Sequence, residues 1–431
     1  MKNFLKIALL FSSFFATQFL PAQTVEKPLS VGIFAYPGVE ILDFSGPSEV
    51  FGSTQGFKPF VVAFKKEPVV AQGFITITPE FSIDDCPPTD ILVFPGGGTG
   101  SVMNEQKLID WIKKRAETTQ IIMSVCTGAG LLSKAGLLDG KEVTTFHEYI
   151  AGLQKVTPAA KVLSGVRFVD NGQVITTAGV SAGIDGALHV VAKFKGGAAA
   201  KATAFYMEYD SWKPNSGKII ETAFLRDVRE LGLEASLKKH QPVAGLPLFY
   251  PGELLDMAAD LLASKPSESE SIFRFLLKKT SPTPTLYDGL GKSFEKQGKT
   301  VPPDSHSFLE KLTSGDIAWA KSVHQKTVKY QPDWLLFTEK DLNDAGYHLM
   351  GRKNIAPALE IFKWVTELFP TSPNAWDSLS EFYEAQGENA RAIAASEACL
   401  AQLPAAGFDT QRKEMYEKIS KDRIEKLKVK P

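Results

Sequence analysis

Residues 121–129 read Ile-Ile-Met-Ser-Val-Cys-Thr-Gly-Ala, and this stretch decides the fold class of the first half of the chain. A pattern typical of a buried strand ends at Cys126, and the apolar residues of 128–135 recur at helical spacing. A cysteine between a strand and a helix, with small residues on both sides, is typical of a nucleophile on a sharp turn. The N–H groups at the start of the helix are expected to lower the thiol pKa. The alternative is a buried, unreactive core cysteine.

Four further apolar runs alternate with helical stretches, as this one does. They read as strands at residues 31–35, 60–64, 91–94 and 174–178. Apolar strands separated by helices, such as residues 108–115, predict a parallel sheet covered on both faces. We therefore expect a doubly wound, flavodoxin-like α/β domain over residues 29–212, with its ligand at the carboxyl ends of the strands.

Length and composition set the wider limits. The 431 residues suit more than one domain, and 44% hydrophobic with 23% charged residues indicates a globular chain. A net charge of −1 argues against nucleic acid as a partner. Three cysteines are too few for a disulfide scaffold.

The first 23 residues resemble an export signal. Two lysines precede a short apolar run, and the small residue Ala22 ends the stretch, so cleavage is expected near Ala22 or Gln23. The run is too short for a comfortable membrane span, and no later stretch is long and apolar enough for one. The sequence therefore predicts an exported protein, periplasmic or secreted and of bacterial type, without a membrane span.

After Trp212 the strand pattern stops. Residues 213–250 are expected to form a linker and residues 251–425 an all-α helical-repeat domain, clearest over 340–404. Four residues recur at an offset of 34 to 36: Tyr347, Gly351, Ala358 and Pro370 return as Tyr383, Gly387, Ala394 and Pro404. The spacing resembles the tetratricopeptide repeat, which usually presents a concave face to a protein partner. A helical domain that merely packs on the first half is the alternative.

Residues 31–212 resemble the ThiJ/PfpI superfamily, also called class I glutamine-amidotransferase-like. Within it they are most similar to the branch of isocyanide hydratase and of the sensor domains of AraC-type regulators. Six motifs occur in the same order: Phe34–Gly38 with Leu42–Phe51, Phe94–Gly98, Ser124–Ala129, Ala135–Lys141 with Thr144-Thr145, Thr177–Asp185, and Glu208–Asp210.

The resemblance implies roles for particular residues. Cys126 matches the nucleophile, Asp43 the acid that contacts the thiol and handles protons, and Thr127 the threonine beside the nucleophile. Gly97 or Gly98, with the Thr127 backbone, would donate oxyanion-type N–H groups. Glu49 is the rival acid.

Other polar residues receive weaker assignments. Relatives often carry a histidine directly after the Thr-Thr pair, but here Phe146 intervenes and His147 follows one residue later. We therefore expect a surface or second-layer His147, with proton transfer by it as the alternative. His189, Cys86 and Cys399 are interpreted as structural. The histidines and cysteines show no metal spacing, so no metal or cofactor is expected.

Two functions remain open at this point. The first is a cysteine-dependent enzyme resembling isocyanide hydratase, of the hydratase or lyase class, acting on a small electrophilic molecule; glyoxalase-like action is its neighbour. The second is a non-catalytic sensor or adaptor that uses the repeats to bind a protein. A protease or amidase would need a competent histidine. Relatives are commonly dimers, and a homodimer is an open expectation.

Overall fold

A computed structural model describes residues 27–428 apart from residues 215, 243–245, 281, 300, 302–303 and 331–333. The predicted export signal lies outside the described residues. The strands are β1 Leu29–Ala35, β2 Phe57–Ala63, β3 Val69–Ala71, β4 Ile75–Ile77, β5 Phe81–Ser82, β6 Ile91–Phe94, β7 Ile121–Val125, β8 Glu142–Val143, β9 Lys161–Val162, β10 Phe168–Asp170, β11 Val174–Thr177 and β12 Lys218–Ile219.

The α-helices fall into two groups along the chain. Those up to residue 279 are α1 Ile41–Gly52, α2 Gln106–Ala116, α3 Ala129–Lys134, α4 Ile150–Val156, α5 Ala182–Lys195, α6 Gly197–Tyr206, α7 Ala223–Leu231, α8 Leu233–Lys239, α9 Pro251–Leu261 and α10 Pro266–Lys279. The later ones are α11 Pro284–Lys296, α12 Ser305–Thr313, α13 Ile317–Tyr330, α14 Glu339–Gly351, α15 Ile355–Leu368, α16 Pro373–Ala385, α17 Asn389–Gln402 and α18 Thr410–Lys428. In the described residues, no helix is long and apolar enough to cross a bilayer.

The main sheet has eight strands in the order β12-β10-β11-β7-β6-β1-β2-β5. Its central strands pair in parallel, with β7 between β6 and β11. The predicted α/β class with a doubly wound sheet is confirmed. One detail differs, because β10 runs antiparallel to β11 and makes the sheet mostly rather than wholly parallel.

Alternating side chains of β7 explain why both faces are covered. Ile122 packs in a buried cluster with Leu108 of α2 and Leu131 of α3. Its neighbours on the strand point the other way, and Met123 joins Val50 of α1 and Leu188 of α5. A strand whose successive side chains are all buried must lie between two helical layers.

The segment expected as a linker is largely structured. It contains β12, which pairs with β10, and the helices α7 and α8. Helix α7 forms because Phe224, Leu225 and Val228 recur at helical spacing and are buried. Glu26–Pro282 and Gly289–Val301 accordingly form one compact unit. This unit extends well beyond the predicted boundary at residue 212.

The second compact unit comprises Thr283–Asp288 and Pro302–Pro431, and the described part of it is helical. Helices α14 and α16 begin at residues 339 and 373, and α15 and α17 at 355 and 389, so the period is a constant 34 residues. Gly387, at φ +73°, therefore corresponds to Lys353, at φ +61°, rather than to Gly351. Both residues end the first helix of a hairpin in the left-handed conformation.

Candidate active site

Cys126 lies where β7 ends, at the carboxyl edge of the sheet. Its backbone adopts φ +59°, which is rare for a residue with a side chain, and its N–H donates to the carbonyl oxygen of Ala178 at 3.0 Å. Gly128 follows in a tight turn that leaves no space for a larger residue. A methyl group there would lie 2.0 Å from the carbonyl oxygen of Phe94. The predicted strained turn with small neighbours is present.

Asp43 is brought to the thiol by the first turn of α1, and its side chain is fully buried. One carboxyl oxygen accepts the N–H of Gly96 at 2.9 Å, and the other accepts the N–H of Val180, also at 2.9 Å. The carboxyl group also hydrogen-bonds to the thiol of Cys126. Burial raises the pKa of Asp43 to about 7, although these hydrogen bonds oppose the shift. Asp43 can therefore gain or lose a proton near neutral pH.

The thiol of Cys126 has a raised pKa, so the lowered pKa expected from the helix is wrong. Burial first, and then the negative charge of Asp43, raise the pKa of Cys126 to about 12. The helix dipole is weak here because a 3₁₀ turn over Cys126–Gly128 precedes α3, which has only six residues. In the resting pair, the Cys126 sulfur carries the proton and donates a hydrogen bond to the Asp43 carboxylate.

Thr127 also contacts the sulfur of Cys126. Both its backbone N–H and its hydroxyl hydrogen-bond to the Cys126 sulfur and favour the thiolate. The hydroxyl oxygen in turn accepts the N–H of Gly97 at 3.0 Å. The Gly97 N–H, the Thr127 hydroxyl and the Thr127 N–H thus direct hydrogen-bond donors towards the sulfur. Negative charge that forms on the sulfur during a reaction is therefore stabilised.

The assignment of Gly97 and Gly98 as oxyanion donors does not fit the geometry. The N–H of Gly97 is engaged by Thr127, and the N–H of Gly98 donates to the carbonyl oxygen of Gly38 at 2.7 Å. Gly98 is held this way because the loop after β6 crosses the loop after β1 at the Val39–Gly97 bridge. Neither N–H is free to receive a substrate oxygen.

His147 is turned towards solvent, as its one-residue displacement predicts. Its side chain is 76% exposed, and its ring lies tilted against that of Phe146 with centroids 4.3 Å apart. Phe146 takes the place beside the nucleophile. A methyl group built on Gly179 would lie 2.4 Å from the Phe146 ring and 3.4 Å from the Cys126 sulfur. An apolar ring rather than an imidazole therefore covers this side of the thiol.

Glu49 is not a second acid for the site. It is exposed on α1, and its carboxylate accepts the hydroxyl of Ser53 at 2.7 Å. Asp43 lies six residues earlier, which places the two side chains on different faces of the helix.

Two residues of the site were missed by the sequence analysis. The buried hydroxyl of Tyr36 donates to the carbonyl oxygens of Pro95 and Gly96, at 2.9 and 2.6 Å, and so holds the loop that binds Asp43. Val180 holds Asp43 through its N–H from a backbone with φ +55°. Tyr36 directly follows strand β1, and a residue at the end of a strand could have been predicted to lie near the site. Val180 could not, because a valine in the sequence does not predict a left-handed backbone.

The other two cysteines, Cys86 and Cys399, are free and buried. Burial raises the pKa of Cys86 to about 11, and it raises the pKa of Cys399 as well. In the described part of the chain, no cluster of histidine, cysteine and carboxylate side chains has the geometry to hold a metal ion.

The first half of the chain is similar to known proteins. The DJ-1/PfpI family profile matches residues 29–193. The isonitrile hydratase of Pseudomonas putida is 31% identical over 199 residues, which cover 45% of this chain and 85% of that protein. The chain therefore belongs to the DJ-1/PfpI family.

Two further proteins are similar to this chain. The HTH-type transcriptional regulator GbdR of Pseudomonas aeruginosa is 27% identical over 30% of this chain, which spans only 35% of the regulator. A ThiJ/PfpI family protein from Pseudomonas syringae has a solved structure that is 26% identical, covers 52% of this chain and 95% of its own, and gives a TM-score of 0.41. The proteins to which this chain is similar thus include an isonitrile hydratase and a transcriptional regulator.

Proposed function

We propose that this chain is a cysteine-dependent hydratase that converts small isonitriles into N-substituted formamides. The observation that carries the proposal is the buried hydrogen bond between the Cys126 thiol and Asp43, with Thr127 donating to the same sulfur. Similarity to an isonitrile hydratase over 85% of that protein's length supports the substrate class.

The first step forms a carbon–sulfur bond. Asp43 takes the proton of the thiol as the sulfur attacks the terminal carbon of the isonitrile, and then delivers that proton to the same carbon. The product is a thioimidate in which the carbon is bound to sulfur, hydrogen and a doubly bonded nitrogen. Thr127 stabilises the negative charge on the sulfur while the bond forms.

The second step adds water and releases the product. Water attacks the thioimidate carbon and gives one proton to Asp43, which passes it to the nitrogen. The carbon–sulfur bond of the resulting tetrahedral adduct breaks as Asp43 takes the proton of the adduct's hydroxyl group. The formamide leaves, and Asp43 returns that proton to the sulfur. One isonitrile and one water give one formamide, with no redox change.

The same geometry disfavours hydrolysis of amides. Acyl transfer forms an oxyanion that needs free N–H donors, whereas the N–H groups of Gly97 and Gly98 are already engaged. His147 faces solvent and is not available as the acid that would protonate a leaving amine. A hydratase needs neither feature.

The test is formamide production from cyclohexyl isocyanide by the purified chain, measured by chromatography. Cys126→Ala is expected to give only the uncatalysed rate. Cys399→Ala is the matched control, because it removes a free and fully buried cysteine elsewhere and is expected to retain activity. Equal rates for the unmodified chain and Cys126→Ala would rule out the hydratase.

A sensor or adaptor is the second candidate, and the helical hairpins with a constant 34-residue period favour it. On this proposal α14–α17 are tetratricopeptide-type repeats that bind a protein, while the α/β unit binds a small molecule without turning it over. Titration of Cys126 by iodoacetamide at varied pH, with turnover of isonitriles and of methylglyoxal assayed beside it, distinguishes the two. A thiol that is alkylated but turns over neither substrate class favours the sensor.

We also propose that the chain is exported, because of the pattern of its first 23 residues. The test is expression of the full sequence in a bacterium, followed by fractionation and mass spectrometry of the N-terminus. A processed N-terminus near residue 23 in the periplasmic fraction is expected. An intact Met1 in the cytoplasmic fraction would contradict export.

A further inference from the structure

The turn at residues 178–181, which follows β11, contacts both members of the reacting pair. The carbonyl oxygen of Ala178 accepts the N–H of Cys126 at 3.0 Å. Two residues later, the N–H of Val180 donates to the carboxyl group of Asp43 at 2.9 Å. The position of this turn therefore decides where the acid meets the thiol.

The backbone of the turn is in a conformation that its residues do not favour. Val180 has φ +55°, and a β-branched side chain rarely adopts a left-handed backbone. Gly179 lies against the Phe146 ring and the Cys126 sulfur, since a methyl group built on it would lie 2.4 and 3.4 Å from them. Such a backbone persists only where neighbouring groups hold it in place.

Arg167 binds the turn at both of its ends. Strand β10 runs antiparallel to β11 with Phe168 opposite Thr177, so the residue before β10 lies opposite the first residue of the turn. The carbonyl oxygen of Arg167 accordingly accepts the N–H of Ala178 at 2.9 Å. Its guanidinium group donates to the hydroxyl of Ser181 at 3.1 Å.

The guanidinium group is itself fixed by Asp185 in the first turn of α5. The Nε–H of Arg167 donates to this carboxylate at 2.7 Å, and a second N–H of the same group donates to the same oxygen. The Asp185 side chain is only 4% exposed, and the hydroxyl of Tyr209 also donates to it at 3.4 Å. Because a buried carboxylate without its partner is costly, Arg167 cannot move away from the turn without a large penalty.

We propose that Arg167 is a positioning residue of the Cys126 site, which acts through the turn to keep the Val180 N–H on Asp43. The other oxygen of that carboxyl group is held in the same way, from the loop that the Tyr36 hydroxyl binds. The consequence for turnover rests on the proposed function, whereas the positioning of the acid does not.

Loss of this support changes the proton balance of the site. The N–H of Val180 favours the ionised form of Asp43, so a displaced turn favours the protonated form, which cannot take the proton of the thiol. The thiol is then expected to become reactive only at higher pH. The ionisable groups that act on Asp43 include Cys126, Glu40 and Tyr36, and a change behind the turn leaves all three in place.

The test is the pH dependence of Cys126 alkylation by iodoacetamide in Arg167→Lys, followed by mass spectrometry of the peptide that contains this cysteine. Lysine keeps the charge but lacks the planar group that binds Ser181 and Asp185 together. The unmodified chain is expected to react faster as the Asp43–Cys126 pair loses its first proton, near pH 7. In the variant this rise is expected to move up by about one pH unit.

Isonitrile hydration measured over the same pH range separates this proposal from the proposed function. The rise of kcat/KM with pH is expected to shift as the alkylation profile does. A shifted alkylation profile in a chain that hydrates no isonitrile would remove the hydratase and leave the positioning role of Arg167 supported.

A second variant and a local measurement separate positioning from general destabilisation. Ser181→Ala removes only the hydroxyl partner and is expected to shift the alkylation profile in the same direction by less. Hydrogen exchange is expected to be faster at residues 178–181 in both variants and unchanged in β1. Arg274→Lys alters an arginine that binds Glu270 at 2.8 Å on α10, and this control is expected to match the unmodified chain.

One result would overturn the proposal. An unchanged alkylation profile in Arg167→Lys, together with a lower midpoint of thermal unfolding, would show that the arginine only stabilises the fold. If Arg167→Lys does not fold, an unchanged profile in Ser181→Ala refutes the proposal in the same way.

Discussion

The Cys126 thiol donates its hydrogen bond to the carboxyl group of Asp43, and both side chains are removed from solvent. The negative charge of Asp43 raises the pKa of the Cys126 thiol, whereas the hydrogen bond from the thiol lowers the pKa of Asp43. The reactive thiolate therefore forms only when Asp43 takes the proton. The pair stores the proton that the proposed reaction must move. This differs from a cysteine that is activated by a neighbouring cation.

The first prediction concerns Asp43→Asn. Loss of the proton carrier is expected to lower kcat/KM for isonitrile hydration by about 10²–10⁴-fold. The same change removes the negative charge beside the sulfur, so the pKa of Cys126 is expected to fall. Iodoacetamide alkylation at varied pH measures the second effect.

Glu49→Gln is the control for that variant. It also neutralises an acid on α1, but Glu49 is exposed and bonded to Ser53. Its activity and alkylation profile are expected to match those of the unmodified chain. If the activity of Glu49→Gln were lowered as much as that of Asp43→Asn, the assignment of Asp43 as the acid of the site would be wrong.

The second prediction is a dependence of stability on pH. The pKa of Asp43 is raised by burial to about 7 in the folded state, so the folded chain holds a proton that the unfolded chain releases near pH 4. The contribution of this group to the free energy of unfolding is therefore full below about pH 4 and is lost as pH rises to about 7. Urea unfolding from pH 4 to 8 measures it.

Asp43→Asn isolates this contribution. Partial burial lowers the pKa of His324 to about 4, so this group acts in the opposite direction over part of the range, but it is present in both proteins. The difference in stability between Asp43→Asn and the unmodified chain should shift in favour of the variant as pH rises. A constant difference across the range would contradict the raised pKa.

The third prediction separates His147 from Phe146. His147→Ala is expected to change kcat/KM less than about twofold, since the imidazole is exposed and does not reach the thiol. Phe146→Ala opens the apolar cover beside Cys126 and is expected to raise KM. A His147→Ala variant with a tenfold loss in kcat would restore the cysteine–histidine pair as the working mechanism.

The fourth prediction tests the tight turn after the nucleophile. Gly128→Ala places a methyl group 2.0 Å from the Phe94 carbonyl oxygen, so backbone must move and stability should fall by about 3 kcal/mol or more. Gly100→Ala is matched in chemistry but meets nothing within 4 Å, and it is expected to be nearly neutral. Thermal unfolding compares the two. Equal midpoints would show that the turn tolerates a side chain.

The central sheet and its reactive cysteine were accessible from the sequence because both depend on local pattern. Strands β1, β6 and β7 are apolar runs buried on both faces, and such runs stand out between helical stretches. The displacement of His147 by one residue also predicted its outward orientation. These features need no knowledge of distant contacts.

The errors arise where tertiary contacts decide the outcome. The pKa of Cys126 depends on burial against Asp43, 83 positions earlier in the chain, and not on the helix that follows it. The donors of Gly97 and Gly98 are engaged by loops that the sequence does not place beside them. Helix α7 was not predicted, because residues 213–217 are rich in turn-forming residues and suggested a linker. The predictions of export, of tetratricopeptide-type repeats, of a homodimer and of no nucleic acid partner stay predictions.

The main sheet ends on both sides in a strand of two residues, β5 at one margin and β12 at the other. An edge strand this short presents few unpaired amide groups to another molecule, so it is a poor template for the addition of a strand from another chain. The apolar central strands, which would aggregate readily if exposed, are thus enclosed laterally as well as by helices. Residues 218–219, contributed from beyond the family domain, therefore protect the sheet against ordered aggregation.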